Sequence, residues 1–235
     1  MARYSVLLLD NDGTLMDFQK AEEQALRLTC EAMGKPYNEQ VLHQYSAINS
    51  GWWRRLEKGE CTKDELQHGR FRDFLQAQQW QGEAGEWNAR AWNARYMENL
   101  GKGSFLMPGA EEVCRALSQT YALYVVTNGV SKTQHRRIDH CPFAPYLSGI
   151  FVSEEAGAPK PEPAYFAHVF AHLPEKDRSR MLLIGDSPSS DLLGANRAGI
   201  DCCWFAPDGR ELPEGVTCTY RIRSLYELPA LLQSC

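Results

Sequence analysis

With 235 residues, 43% of them hydrophobic and 23% charged, the chain is too apolar and too nearly neutral (net charge −5) to be disordered. It is long enough to bury a sizeable core in one domain or two. Asp+Glu 30 against Lys+Arg 25, with no basic block longer than Arg54-Arg55 or Arg136-Arg137, excludes a basic surface for a nucleic-acid polymer, and no apolar run approaches the ~18 residues of a membrane span.

The first residues, Met1-Ala2-Arg3-Tyr4, lead directly into the apolar run Val6–Leu9 without the pattern of a signal peptide, which predicts a cytoplasmic protein. Val6–Leu9 reads as a buried strand ending at Asp10. From residue 17 to 100 no strand-like run occurs. Helical patterns are predicted instead at Ala21–Met33, Glu39–Ala47, Thr62–Gln79 and Ala84–Leu100, with Thr62 and Glu65 spaced as a capping box. Five of the six Trp residues (Trp52, Trp53, Trp80, Trp87 and Trp92) fall in this segment, and together with Phe71 and Phe74 they could pack a core or stack on an aromatic ligand. The chain returns through Gly101-Lys102-Gly103 and the turn Met107-Pro108-Gly109.

Strand and helix then alternate. Helices are predicted at Ala110–Gln119, Ser131–Ile138, Pro163–His172 and Ser189–Ala198. Strands are predicted at Tyr121–Val126, Gly149–Val152, Met181–Ile184 and Cys202–Phe205. This rhythm implies an α/β fold, a Rossmann-like, doubly wound parallel sheet flanked by helices, with an inserted helical bundle. The expected domains are a catalytic core, 1–16 and 101–235, and a helical cap, 17–100. Eight scattered cysteines with no C-x-x-C spacing predict reduced thiols rather than a disulfide framework or a zinc site.

In an open parallel sheet, ligands bind at the carboxyl ends of the strands. The residues there are Asp10-Asn11-Asp12-Gly13-Thr14, Thr127-Asn128-Gly129, Lys160-Pro161 and Gly185-Asp186 with Asp191. Each alone has a plain alternative: a hairpin turn, an ordinary turn, a surface lysine, a helix cap. Together they gather acids, a hydroxyl, an ammonium and backbone donors. Two carboxylates from distant segments, such as Asp10 and Asp186, repel unless a cation joins them, and hard oxygen ligands suit Mg²⁺. A carboxylate beside a phosphoryl group can then act as nucleophile, and a second acid two residues on can protonate the leaving oxygen.

The four motifs, D-x-D-x-T, a strand ending in Thr, a Lys and G-D-x-x-x-x-D, resemble those of the haloacid dehalogenase (HAD)-like phosphohydrolase superfamily over essentially the whole chain, and the insertion is similar to its C1-type helical cap. The resemblance implies Asp10 as nucleophile forming an aspartyl-phosphate and Asp12 as general acid and then base. It implies Mg²⁺ on the Asp10 carboxylate, the Asp12 carbonyl and Asp186, with phosphate contacts from the Asn11 amide, Thr127, Asn128 and Lys160. Asp191 would orient Lys160 or meet a metal-bound water. Asn11 is polar where many members are apolar, with little effect expected.

Trp53…Gly59, Leu66–Phe71, Ser153–Gly157 and Ala198–Trp204 resemble the pyrimidine 5′-nucleotidase branch, which implies a pyrimidine nucleoside monophosphate as substrate, non-canonical pyrimidines included. Asn49, Trp53, His68 and Arg70 are the cap candidates for contacting it. The alternatives are a phosphatase or phosphomutase for a small sugar phosphate such as phosphoglycolate, and a non-catalytic binding protein on the same fold. Dehalogenation is disfavoured by Asp12. The two crossings near Leu15–Phe18 and Gly101–Pro108 predict a hinge.

Overall fold

The computed structural model describes residues 2–80 and 86–234. The predicted helix start at Ala84, the Trp87 side chain and the Cys235 thiol lie outside the described residues. The chain divides into two compact units, Met1–Phe18 with Ser104–Cys235, and Gln19–Gly103.

In the first unit, β1 (Val6–Leu9), β2 (Ala122–Thr127), β3 (Gly149–Val152), β4 (Met181–Gly185), β5 (Asp201–Phe205) and β6 (Tyr220–Ile222) form one sheet. Its order is β3-β2-β1-β4-β5-β6, and every pairing is parallel. The short apolar runs form strands because both of their faces are covered. Leu7, Leu9, Leu123, Val125, Leu182 and Ile184 point into one apolar cluster, and Val6, Leu8, Val126, Met181 and Leu183 into the other. The first cluster is closed by α5 (Ala110–Leu117), α6 (Ser131–Asp139) and α10 (Leu228–Gln233). The second is closed by α8 (Pro163–His172) and α9 (Leu193–Ala198). Each such leucine contributes about 1.5–3 kcal/mol by leaving water. A four-residue helix, α7 (Ser153–Ala156), follows β3.

The order reverses at β1 and β4, so the carboxyl ends of these two central strands flank the switch point where ligands bind in such sheets. Leu9 is in register with Val125 on one side and Ile184 on the other. Asp10, Val126-Thr127 and Gly185-Asp186 therefore leave the sheet at the same level.

The second unit holds α1 (Phe18–Ala32, whose first residue belongs to the first unit), α2 (Glu39–Glu57), α3 (Lys63–Ala77) and α4 (Glu86–Leu100). Asn38 caps α2 by accepting from the Val41 amide at 3.0 Å, and the Thr62–Glu65 capping box starts α3. Tyr45, Phe71, Phe74, Trp92 and Tyr96 are all fully buried and pack edge-on or tilted against one another. The aromatic side chains that could have stacked on a ligand are thus, at Phe71, Phe74 and Trp92, the unit's own core. A polar chain runs through it, with one residue from each helix. Asn49 Nδ2 donates to Glu22 at 2.7 Å, and Arg70 donates to Asn49 Oδ1 at 3.0 Å and to Asn93 Oδ1 at 2.8 Å.

Several elements differ from expectation, the short helices α7 and α10 among them, which the sequence pattern does not predict. The second helix runs on to Glu57 rather than stopping at Ala47, because Trp52 and Leu56 continue its buried stripe past Gly51. The helix expected from Ser189 opens as a wider π turn at Pro188–Leu192 before α9. The edge strand β6, of three residues with Arg221 exposed, has no apolar run to announce it.

Candidate active site

The β1 carboxyl end places Asp10 on the sheet through its own amide, which donates to the Ile184 carbonyl at 2.9 Å. The chain then turns tightly around the Asn11 carbonyl, which accepts from Leu15 and Met16 at 2.9 and 2.8 Å. Gly13 sits in this turn at φ +90°, and a Cβ there would lie 2.8 Å from the Asp186 carboxylate. Only glycine satisfies both demands.

Lys160 is the centre of the site. Its side chain is buried, and its Nζ donates to Asp10 Oδ1 at 2.7 Å, to Asp191 Oδ1 at 2.6 Å and to the Val126 carbonyl at 2.8 Å. All three ammonium donors are thereby used. Burial acts to lower the Lys160 pKa, but the Asp10 and Asp191 carboxylates outweigh it and hold the ammonium well above its ordinary value. The lysine is presented by a reciprocal pair: Asn128 Nδ2 donates to the Lys160 carbonyl at 2.8 Å, and the Lys160 amide donates to Asn128 Oδ1 at 2.7 Å. Thr127 is buried at the end of β2, its Oγ1 accepting from the Gly129 amide at 3.1 Å. Asp191 is fully buried and accepts from the Ser187 amide at 3.0 Å with its second oxygen.

Asp10, Asp186 and Asp191 each offer a carboxylate oxygen within 4.8 Å of the others. Burial raises the Asp10 pKa well above its ordinary value; Asp191 and Asp186 add to this and Lys160 opposes it. Burial and the Asp191 charge push Asp186 up to about 7, partly offset by Arg210. One ammonium among three carboxylates leaves an excess of negative charge, and the donor set is entirely hard oxygen. Both properties fit a divalent cation of the Mg²⁺ kind.

The structure therefore brings together Asp10, Thr127, Asn128, Lys160, Asp186 and Asp191 at one end of the sheet, with Asn11 and Asp12 in the turn after β1. In the helical unit, Asn49 and Arg70 are each 2% exposed and engaged in the polar chain, where burial pushes the Glu22 carboxyl up against the hydrogen bonds from Ser46 and Asn49. Trp53 is half-buried against Trp52, Leu56 and Leu66, and His68 is half-buried with its Nδ1 3.5 Å from Asp64.

Sequence reasoning missed three neighbours. Arg210 donates to the Asp186 carbonyl at 2.7 Å, and Gln134 and Arg137 both reach Asp12. Asn11 also does more than its backbone suggests, since its buried side chain donates to Gln134 Oε1 at 2.5 Å. The available signal was a polar pair at 134 and 137, three apart on a short helix next to the Thr127 motif.

Residues 4–199 match the haloacid dehalogenase-like hydrolase family. The HAD-hydrolase YfnB of Bacillus subtilis is 38% identical over 232 residues, spanning 99% of this chain and 97% of its own. Its crystal structure, bound to magnesium and revealing interdomain movement, covers 98% of this chain and 99% of its own with a TM-score of 0.92. The pyrimidine 5′-nucleotidases YjjG of Escherichia coli and PynA of Streptococcus pneumoniae are 32% and 30% identical. They cover 98% and 96% of this chain, and 98% and 93% of their own. A family match over most of the chain, full-length relatives that are phosphatases and a parallel sheet with an acidic switch point agree: the chain belongs to the haloacid dehalogenase-like hydrolases and is an enzyme that hydrolyses phosphomonoesters.

Proposed function

We propose that the protein is a Mg²⁺-dependent 5′-nucleotidase for pyrimidine nucleoside monophosphates that works through an aspartyl-phosphate on Asp10. The observation that carries the chemistry is the buried Lys160 ammonium bridging Asp10 and Asp191 beside Asp186. The choice of substrate rests on the two full-length pyrimidine 5′-nucleotidase relatives.

In this reading the Asp10 carboxylate attacks phosphorus and the bond to the leaving oxygen breaks. Asp12 delivers a proton to that oxygen, then takes one from the water that attacks the aspartyl-phosphate and releases inorganic phosphate. Lys160 offsets the charge of the nucleophile and the phosphoryl oxygens, and the Thr127 hydroxyl and the amides of Asn11 and Asn128 bind those oxygens. Mg²⁺ would be held by the Asp10 carboxylate, the Asp12 carbonyl and Asp186, and when bound it would screen nucleophile from phosphate. Asp191 keeps Lys160 in place.

The first unit is read as the catalytic core and the helical unit as the cap that selects the nucleoside. Asn49, Trp53, His68 and Arg70 are its candidate contacts, and Trp53 and His68 keep accessible surface. The hinge expected at the two crossings has its support in the interdomain movement of YfnB. A cytoplasmic location is consistent with the free thiols of Cys30, Cys61, Cys114, Cys141, Cys202 and Cys218, and among the described residues no helix is long and apolar enough to cross a membrane.

The test is a phosphate-release panel with Mg²⁺ comparing uridine and thymidine 5′-monophosphates with purine nucleotides and small sugar phosphates, phosphoglycolate included. The expected result is the highest kcat/KM on the pyrimidine nucleotides. A preference of tenfold or more for a sugar phosphate would refute the nucleotidase reading while leaving the phosphatase chemistry intact.

A further inference from the structure

Helix α6 carries two side chains to the active site that the steps above do not use. Arg137 is fully buried, and its Nη1 donates to Asp12 Oδ1 at 2.5 Å. Gln134 is also buried; its Nε2 donates to Asp12 Oδ2 at 2.6 Å while its Oε1 accepts from Asn11 Nδ2 at 2.5 Å. The two lie three residues apart, on one face of the helix. Gln134 reaches Asp12 by crossing over Gly129, where a Cβ would stand 2.0 Å from Nε2. The glycine after Thr127-Asn128 is thus required by the glutamine's path.

Burying a guanidinium costs several kcal/mol before pairing, and an apolar side chain between helix and sheet would avoid that cost. The arrangement has a geometric result instead. An aspartate in a loop turns freely about two bonds, but one donor on each oxygen fixes both the plane and the direction of the Asp12 carboxyl group. Each oxygen keeps a further lone pair for the substrate side.

We propose that Gln134 and Arg137 are positioning residues that aim Asp12 at the leaving oxygen and then at the attacking water. This rests on the reading of Asp12 as the general acid and base. Asn11 belongs to the same device, because it fixes the far end of the Gln134 amide.

The test uses the full-length protein with Mg²⁺ and two leaving groups. p-Nitrophenolate departs from p-nitrophenyl phosphate without needing a proton, so the pre-steady-state burst is insensitive to the acid. The alkoxide of the best alkyl phosphate in the panel above needs one. Gln134→Met, Arg137→Met and Arg137→Lys are compared with Asp12→Asn. Asp12→Asn is expected to lose on the order of 10²-fold or more in alkyl phosphate turnover while keeping its nitrophenolate burst. Gln134→Met and Arg137→Met are expected to show the same split, about tenfold or more in alkyl kcat with KM little changed and a burst rate within about threefold of the parent. Arg137→Lys should recover part of the loss.

Equal losses on both substrates, or no loss on either, would overturn the positioning role. If Asp12→Asn shows the split and the helix variants do not, only this inference falls. If Asp12→Asn shows no split, the catalytic reading falls and this inference with it. Should Arg137→Met fail to fold, Gln134→Met carries the test, since it removes no buried charge.

Discussion

Replacing Lys160 with methionine keeps an unbranched side chain of similar volume and removes only the charge and three donors. At 2.6–2.7 Å and an effective dielectric of ~20, each of its two ion pairs is about 6 kcal/mol of attraction, much of it offset by desolvation of the ammonium. Removing one partner from a buried pair costs about 3–5 kcal/mol, because the remaining charge is left without compensation. The same 3–5 kcal/mol is expected for Lys160→Met near neutral pH, a fall in Tm of about 6–20 °C for a chain of this size.

The sign of the pH dependence follows. Without the lysine, the burial and the Asp191 and Asp186 charges that raise the Asp10 pKa lose their counterweight, so the folded state holds a proton that the unfolded state has released. Stability then falls as pH rises above about 4, and the deficit relative to the parent narrows on acidification. Calorimetry of both proteins across about pH 5–8 without added metal measures this, and phosphate release by the variant should be abolished. A loss below about 1 kcal/mol at neutral pH, or a deficit that does not change with pH, would refute the account of Lys160 as the charge holding the two aspartates together.

Asp10→Asn should retain a parent-like circular dichroism spectrum and lose turnover by several orders of magnitude; turnover within about tenfold of the parent would show that Asp10 is not the nucleophile. Asp186 links metal to pH. Its pKa of about 7 lies above the unfolded value, so the metal-free protein loses stability between about pH 4 and 7, by at most about 1.4 kcal/mol per pH unit. Mg²⁺ needs the ionised form, so its affinity by titration calorimetry should rise with pH up to about 7 and then level; a flat profile from about pH 5.5 to 7 would exclude Asp186 as a ligand. Removing metal with EDTA should stop phosphate release, and Mg²⁺ alone should restore it.

The parallel sheet is legible in the chain because its strands are buried on both faces. Gly149–Val152 and the ends of Val6–Leu9 can be read directly from continuous apolar residues stopping at a polar one. β6 is not, because a three-residue edge strand alternating Tyr, Arg and Ile carries too little burial to stand out from a loop. Asp10, Lys160 and Asp186 can be read because strand ends are where a parallel sheet presents chemistry, and each stands at or near one.

Gln134 and Arg137 escape the same reading. A helix is judged by its apolar face, and α6 turns polar side chains inward along with Ile138. Asn49 and Arg70 illustrate the converse. Their burial is not legible in the sequence, because a chain of complementary hydrogen bonds lets such polar side chains lie inside a helical core.

The central place of β1 has a consequence for how the polypeptide is made. Asp10 and Lys160 are separated by 150 residues, and β1 lies between two strands that both come later in the chain. As the protein leaves the ribosome, the first strand emerges with neither neighbour, and the four consecutive helices that follow can find their partners first. The sheet closes around β1 only once β4 has been synthesised. Contacts of such long sequence separation slow folding and leave an apolar strand open to wrong partners in the meantime. Val6–Leu9 is therefore the segment most exposed to misassociation during biosynthesis, and truncation before β4 would leave Asp10 at the end of a strand with one side unpaired.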